Sequence, residues 1–126
     1  MKKMILLFSH NLSHEQKEDA KLNWSVEEFI SLPKELQTIW SNVPADLEDI
    51  KEYLEPIKQF LIQNIDKNDI VLVQGDFGAT FKIASFVKFM GSSVVYATTK
   101  RNVVEKEIDG KSVKTSVFEH IRFRRY

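Results

Sequence analysis

The chain of 126 residues has no cysteine, only 4 glycines and 3 prolines, and no net charge. The absence of cysteine excludes a disulfide scaffold and a thiolate zinc site, and it is typical of a reducing cytoplasm. Because 18 basic residues balance 18 acidic ones, bulk charge does not predict binding to a long nucleic acid. The apolar run 4–8 is too short for a signal sequence or a membrane span. We therefore expect a cytoplasmic protein with no membrane partner.

What is present fits one globular domain, residues 1–126. Hydrophobic residues make up 43% of the chain and charged residues 29%, as in ordinary soluble proteins. A chain of this length can enclose one hydrophobic core but not two. Only three histidines are present, scattered along the chain and without an acidic partner at ligand spacing, so we expect no metal site and no cofactor.

The most informative stretch is residues 69–82, DIVLVQGDFGATFK. Its aliphatic run 70–73 predicts a strand that is buried on both faces. A turn with two glycines follows, and the apolar residues from 81 to 90 predict a buried helix. In an open α/β sheet such a turn lies at the carboxyl end of a strand, where ligands bind, and the helix N-terminus offers N–H groups to an anion. A simpler interpretation is that Asp76 only caps the helix and nothing binds.

Three further strands and two helices are predicted around this unit. The strands are residues 4–8, placed at the centre of the sheet, 28–32 and 93–97, and the helices are 14–22 and 34–40. Ser13 and Gln16 have the spacing of a capping box at the start of the first helix. Pro33 suits the first turn of the second helix.

A long helical pattern begins near Pro44. Its apolar positions form one seam, defined by residues Leu47, Ile50, Leu54, Ile57 and Leu61. Pro56 lies inside the pattern and predicts a kink or break near Glu55. The seam suits core packing or a dimer face.

The C-terminal quarter changes to an alternating pattern. Residues 103–108 and 112–118 flank Asp109-Gly110, which is a strong signal for a β-hairpin. The predicted fold is therefore a single Rossmann-like α/β domain with a mostly parallel sheet and a C-terminal antiparallel hairpin.

Right-handed crossovers place three polar segments along one edge of this sheet. The candidate residues are Ser9 and His10 after the first strand, Gln74, Gly75, Asp76, Phe77, Gly78, Ala79 and Thr80 in the glycine turn, and Thr98, Thr99, Lys100 and Arg101 after the last parallel strand. Hydroxyls, an imidazole, backbone amides and two cations would meet there as a phosphate site. Each member also has a structural explanation: a turn serine, a surface histidine, or solvated loop charges.

Four segments together resemble a known family. The segments ILLFSHNLS, VLVQGDFGAT, YATTKR and SVFEHIRFRRY are similar to the small CRISPR-associated proteins of the Csx group, which accompany type III systems and resemble the Rossmann-like CARF sensor domains. The resemblance implies recognition of cyclic oligoadenylate, most simply the four-membered ring, and in ring-nuclease members its cleavage, which switches the antiviral signal off. It also matches Ser9 to the hydroxyl residue after the first strand, the glycine turn to the phosphate-contacting loop, and Lys100-Arg101 to the basic strand-end motif.

The implied reaction needs no metal, because the ribose 2′-hydroxyl beside each phosphate is the nucleophile. In this hypothesis Ser9 orients that hydroxyl, His10 moves a proton, and Lys100 or Arg101 stabilises phosphoryl charge. The catalytic candidates are thus Ser9, His10 and Lys100. Two alternatives remain: a sensor or sponge that binds the ring without cutting it, and a partner-binding protein that uses the seam. Because the ring has two-fold symmetry, we expect a homodimer, joined through the seam or through residues 118–123.

Overall fold

The computed structural model describes residues 1–126, in which strands and helices alternate. The elements are β1 (Lys3–Leu7), α1 (His14–Trp24), β2 (Glu28–Ser31), α2 (Lys34–Ser41), α3 (Glu55–Asn64), β3 (Ile70–Val73), α4 (Phe77–Phe89), β4 (Ser93–Ile108) and β5 (Lys111–Arg125). The five strands form one sheet in the order β2-β1-β3-β4-β5. Only the β4–β5 pair is antiparallel. The predicted mostly parallel α/β sheet with a C-terminal antiparallel hairpin is confirmed.

The sheet is covered on both faces, which explains its continuous aliphatic strands. All four residues of β3 are buried, and this strand, rather than β1, lies at the centre of the sheet. On one face, residues of α2, α3 and α4 share a hydrophobic cluster with β1 and β3. On the other face, Ala20 of α1 packs with Met4, Leu72 and Phe123. No helix is both long and apolar enough to cross a membrane.

The capping box that the sequence predicts at α1 is present. The Ser13 side chain accepts a hydrogen bond from the Gln16 N–H at 3.1 Å, and the Gln16 side chain accepts one from the Ser13 N–H at 2.9 Å. The helix continues two residues past the predicted end at Leu22 and stops at Ser25, which is left-handed with φ of 58°. Local chemistry therefore fixes the start of α1 more sharply than its end.

The helix predicted from Pro44 to residue 54 is wrong, but the break predicted near Glu55 is present. Residues 44–54 form turns, and α3 begins only at Glu55. Pro56 consequently lies in the first turn of α3, where a proline is tolerated because its missing N–H would have no partner. Leu54, Ile57 and Leu61 are fully buried, whereas Leu47 is 44% exposed. The buried part of the seam belongs to the core, so it does not form a dimer face.

The sequence predicted a buried helix here, but only one face of α4 is buried. One face, formed by Ala79, Ile83, Ala84 and Val87, packs on the sheet. Phe77, Phe81 and Phe89 lie on the solvent side and are 95%, 73% and 91% exposed. The reason is that α4 lies in an outer layer, where the sheet covers only one stripe of a helix.

The strand that begins at Ser93 does not end at Ala97, as the sequence predicted. It continues through Arg101 to Ile108, so that the expected hairpin strand and the last parallel strand are one element. Asp109 and Gly110 have positive φ values of 51° and 74°, which is the geometry of a type I′ turn, and the predicted hairpin is confirmed. Nearly every residue from 99 to 119 is exposed, because β3 pairs with β4 only as far as Val95.

Candidate functional site

The sheet topology reverses direction beside β1, whose carboxyl end carries Ser9 and His10. From β1 the chain passes to β2 on one side, and the next strand, β3, lies on the other side of β1. Helix α1 packs on one face of the sheet and α2 to α4 on the other. The carboxyl ends of β1 and β3 therefore border a crevice of the kind in which open α/β sheets bind ligands. Ser9 and His10 follow β1 at this point.

Helix α2 ties the ends of β1 and β3 together. Gln37 Nε2 donates to the Phe8 carbonyl at 3.1 Å and to Ser41 Oγ at 3.0 Å. Ser41 Oγ in turn lies 3.0 Å from Ser9 Oγ. Either serine can donate in this pair, because the Ser41 oxygen has a second lone pair besides the one that accepts from Gln37. The hydroxyl of Ser9 is thus held in place by α2.

A cavity of about 640 Å³ opens on the β2 side of β1, and no residue of β3 lines it. Ser9, His10 and Asn11 line it from the β1 end, and Lys17 of α1 and Lys34 of α2 line it from the helices. The two lysines give the cavity cationic walls without a carboxylate among its lining residues. Lys34 is also the first residue of α2, whose N-terminus has no side-chain cap, so its first N–H groups face outward. The cavity suits a polyanionic ligand.

His10 is exposed in this cavity. Its ring meets Phe8 edge-on, with ring centroids 5.4 Å apart and an interplanar angle of 75°. That contact orients the imidazole while both ring nitrogens stay available for proton transfer.

The glycine turn is largely occupied with structural bonds. The Gln74 side-chain oxygen accepts from the Ala97 N–H at 2.7 Å, and the Gln74 carbonyl accepts from Trp40 Nε1 at 3.0 Å. Asp76 Oδ2 accepts from the Ala79 N–H at 3.0 Å and caps α4. The simpler interpretation of Asp76, as a helix cap, therefore describes its contacts.

Gly75 is required by packing rather than by a strained backbone. A Cβ at this position would lie 3.0 Å from three atoms of the Trp40 indole. At Gly78 a Cβ would meet only Asp76 and Ile50, at an ordinary 3.6 Å. Ala79 is fully buried, so its side chain is part of the core.

The remaining candidates are distributed over other surfaces. Asp76 and Gly78 line a separate cavity together with Glu48 and Asp49, whose carboxylates disfavour an anion. Phe77 and Thr80 line a small apolar cavity on the outer side of α4, and the buried Thr80 hydroxyl has no hydrogen-bond partner. Thr99 lies with Ser13 and residues of β5 in a third depression.

Lys100 and Arg101 are not at a strand end. They lie within β4, exposed on the two-stranded part of the hairpin, and Arg101 Nε donates to Ser116 Oγ at 3.0 Å. Thr98 Oγ1 donates to the Arg122 carbonyl at 2.9 Å across the same hairpin. Because Val95 is level with Leu72, these residues still lie at the carboxyl edge of the parallel sheet, just beyond the end of β3. They therefore lie at the same edge of the sheet as Ser9 and His10, but they line none of the larger cavities.

His120 joins the hairpin to α1. Its Nε2 lies 2.7 Å from Asp19 Oδ2. Burial alone would raise the pKa of Asp19, but hydrogen bonds from Asn23 and His120 outweigh that effect and lower it. No three His, Asp or Glu side chains are grouped closely enough to hold a metal ion.

Comparison with known proteins places this architecture in a family. A family model described as the uncharacterized protein MJ1673 family matches residues 2–124. The chain belongs to that family. It is 51% identical over 126 residues to the uncharacterized protein MJ1673 of Methanocaldococcus jannaschii, a match that covers 100% of this chain and 98% of that protein. No solved structure matches the chain.

Among the cavity residues that the sequence alone missed in this MJ1673-family chain are the polar residues Lys17, Lys34 and Gln37. Lys17 lies in the first turns of α1 and Lys34 opens α2, and both helices start from the carboxyl edge of the sheet. A search for cations near the start of each helix that follows a parallel strand would have found them. Gln37 has no such signal, because its role depends on where α2 packs.

Proposed function

We propose that this protein is a ring nuclease that cleaves cyclic oligoadenylate, most simply the four-membered ring, and so switches off type III CRISPR signalling. The observation that supports this proposal best is the cavity beside β1. It combines a positioned hydroxyl at Ser9, an imidazole at His10 and cations at Lys17 and Lys34. These are the groups that a reaction at a ribose phosphate requires.

In the proposed reaction the ribose 2′-oxygen attacks the adjacent phosphorus. The bond between phosphorus and the 5′-oxygen breaks, which yields a 2′,3′-cyclic phosphate and a free 5′-hydroxyl. The 2′-hydroxyl proton must leave and a proton must reach the 5′-oxygen, so atoms and charge balance without any co-reactant. His10 is the group in the cavity that can both accept and donate a proton through its ring nitrogens.

The other residues bind and orient. Ser9 donates to the substrate and holds the attacking hydroxyl in line, while Lys17 and Lys34 stabilise the phosphoryl oxygens. Lys100 lies along the same edge on the hairpin, where it would contact a more distant phosphate of the same ring, whereas Arg101 is bonded to Ser116 within the hairpin and is given no phosphate contact. Asp76 is committed to capping α4, so the proposal assigns it no contact with phosphate.

A sensor or sponge that binds the ring without cutting it is the second candidate. One observation favours it: no hydrogen bond holds the His10 side chain. The aromatic contact of this side chain is with Phe8, edge-on. An imidazole without an orienting carboxylate is a weaker base than one in a dyad. The third idea, a partner surface along the seam, loses support because Leu54, Ile57 and Leu61 are fully buried.

One assay separates the candidates. Purified protein is incubated with labelled cyclic tetra-adenylate in EDTA, and the products are resolved by chromatography. Linear products that end in a 2′,3′-cyclic phosphate support the nuclease. An intact ring that is retarded by the protein supports the sponge, and the absence of any interaction contradicts both.

A further inference from the structure

The hairpin beyond the sheet has two unpaired edges. From Thr99 to Ile108, β4 pairs only with β5, and β5 is itself the edge strand of the sheet. An isolated two-stranded ribbon is marginally stable in water. This ribbon also exposes aliphatic side chains: Val103 at 58%, Val104 at 40%, Ile108 at 54%, Val113 at 40% and Val117 at 49%.

The free backbone groups of β4 can be assigned from its bonds. The Tyr126 N–H donates to the Val94 carbonyl at 3.1 Å, so Val94 faces β5. The Ala97 N–H donates to the Gln74 side chain at 2.7 Å, so Ala97 faces the β3 side. Backbone groups alternate along a strand, and the pairing of Ile108 with Lys111 beside the turn agrees with this alternation. The residues whose N–H and C=O groups point away from β5 are therefore Thr99, Arg101, Val103, Glu105 and Glu107.

This free edge has a self-complementary charge pattern. On one face of this edge Arg101 lies at one end and Glu105 and Glu107 at the other, with Val103 between them, while the other face carries Lys100 and Lys106. A second copy of the same strand, placed antiparallel, opposes the basic end of one copy to the acidic end of the other. Opposite charges directly across an antiparallel pair are stabilising, and like charges are destabilising.

The alternation also selects the register. Residues whose backbone N–H and C=O groups point away from β5 must lie opposite the same kind of residue in the second copy. The two-fold axis must therefore lie level with one residue of β4, which is then opposite its own counterpart, and not midway between two residues. An axis at Val103 would oppose Lys100 to Lys106. An axis at Val104 opposes Arg101 to Glu107 twice and creates no like-charge pair.

We propose that two copies of this chain join through the free edges of β4, with Val104 on the two-fold axis. The product is a four-stranded ribbon, β5-β4-β4-β5, in which the outward groups of Arg101, Val103, Glu105 and Glu107 find partners. The same register brings the Asp109-Gly110 turn of each copy level with Thr99 of the other. Each turn then lies at the carboxyl edge that carries the other copy's candidate site. The interface is built from the hairpin alone, so it does not depend on the proposed reaction.

Light scattering on the full chain without nucleotide tests the interface. The wild-type protein should have a mass of about 29 kDa, twice the 14.7 kDa chain mass. Val103→Pro removes an outward N–H and should give a monomer, because proline at an edge blocks pairing there without breaking a bond within the hairpin. Lys114→Pro is the matched control, since Lys114 faces outward on the opposite edge, that of β5, and should leave the dimer intact. Circular dichroism confirms that both variants keep their fold.

A charge exchange tests the register. Arg101→Glu and Glu107→Arg should each raise the dimer dissociation constant by roughly tenfold or more, because each places two like-charge pairs in the ribbon. The double variant restores the opposition and should return the constant to within a few-fold of wild type. A wild-type chain that stays at 14.7 kDa, a dimer lost only in Lys114→Pro, or a double variant no better than the single ones would overturn the proposal.

Discussion

Individual side chains at the carboxyl edge divide into those committed to structure and those still free to bind. Gln74 and Asp76 use their oxygens within the fold, bonding the N–H groups of Ala97 and Ala79. His10, Lys17 and Lys34 are exposed in the cavity beside β1. A ligand bound there would displace only water from these side chains and would break no bond within the protein. The free residues are therefore where substitutions should alter function without altering stability.

If the proposed function holds, His10→Ala should lower the rate of ring cleavage by about 10²–10⁴, with binding little changed, because it removes the proposed proton-transfer group and no core contact. Single-turnover cleavage and ring binding are measured on the same preparation. His14→Ala is the matched control, since His14 is exposed at the start of α1 and does not line the cavity. Equal rates in both variants would mean that catalysis rests on positioning alone.

Gly75→Ala should lower the free energy of unfolding by about 1–3 kcal/mol, because the added Cβ forces the Trp40 indole to move. Gly78→Ala should be neutral or stabilising by about 0.5–1 kcal/mol, since the site has room and alanine favours a helix. Urea unfolding of the two variants measures the difference. Equal losses in both would refute the assignment of Gly75 to packing against Trp40.

Among the elements, α2 contributes most to the candidate site. Its residues Gln37, Trp40 and Ser41 bond to Phe8, Gln74 and Ser9, respectively, and so bridge the ends of β1 and β3. Its N-terminus begins at Lys34, opposite Lys17 of α1 across the cavity. The two helices therefore set the charge of the site, and the strands set its position.

Lys17→Ala and Lys34→Ala should each weaken ring binding by roughly tenfold, since a charge-assisted contact to phosphate is worth about 1.5–3 kcal/mol. Both lysines are exposed, so melting temperatures should stay near wild type. Lys67→Ala is the control, because it removes an exposed lysine that lines a depression beside the start of β1 instead. Binding is followed by fluorescence anisotropy of a labelled ring. Unchanged affinity in both cavity variants would exclude this cavity as the phosphate site.

At the scale of the whole molecule, a buried carboxylate holds the amino edge of the sheet. Asp69 is 1% exposed, and its oxygens accept from the N–H groups of Lys3 and Asp66 at 2.9 and 2.8 Å and lie 3.0 Å from the Lys3 ammonium. Burial alone would raise the pKa of Asp69, but these hydrogen bonds and the lysine charge lower it below its ordinary value. Asp69 therefore stabilises the fold above about pH 4, and that contribution is lost as the pH falls through its lowered pKa.

Asp69→Asn should lower the free energy of unfolding by about 2–4 kcal/mol at neutral pH. Below about pH 4 the variant should lose less of this free energy than the wild type does, because the titrating carboxylate is gone. Asp66→Asn is the control, because its side chain bonds the same lysine but is 78% exposed, so its loss should cost about 0–1 kcal/mol. Chemical denaturation across this pH range gives both numbers. A wild-type acid profile retained by Asp69→Asn would contradict the assignment.

The proposed function makes a claim of stoichiometry: one ring per two chains. A four-membered ring has a two-fold axis, and a two-fold dimer presents the same residues to both halves. Titration calorimetry with His10→Ala, which should bind without cutting, measures the ratio. A ratio of one ring per chain would contradict the symmetric arrangement.

The sequence by itself determined the elements whose signal is local. The capping box at Ser13, the aliphatic strand Ile70–Val73, the cap at Asp76 and the type I′ turn at Asp109-Gly110 each depend on residues a few positions apart, and each is present. The parallel sheet with its final hairpin followed from the order of these signals. The same reasoning brought Ser9 and His10 to the carboxyl edge of the sheet, because a residue after a parallel strand has no other place to lie.

Tertiary structure decided which residues are buried, where β4 ends and which side chains line the cavity. Apolar periodicity predicted helix across residues 47–54 and a buried helix at α4. Residues 47–54 form turns instead, and only one face of α4 is buried, since periodicity does not say which neighbour is present. The polar residues after Ala97 predicted a strand end, whereas pairing with β5 carries β4 on to Ile108. The cavity that joins Ser9 and His10 to Lys17 and Lys34 exists because β1, α1, β2 and α2, which follow one another in the chain, pack together around it. Local chemistry chose the elements, and long-range packing chose which of their side chains share a site.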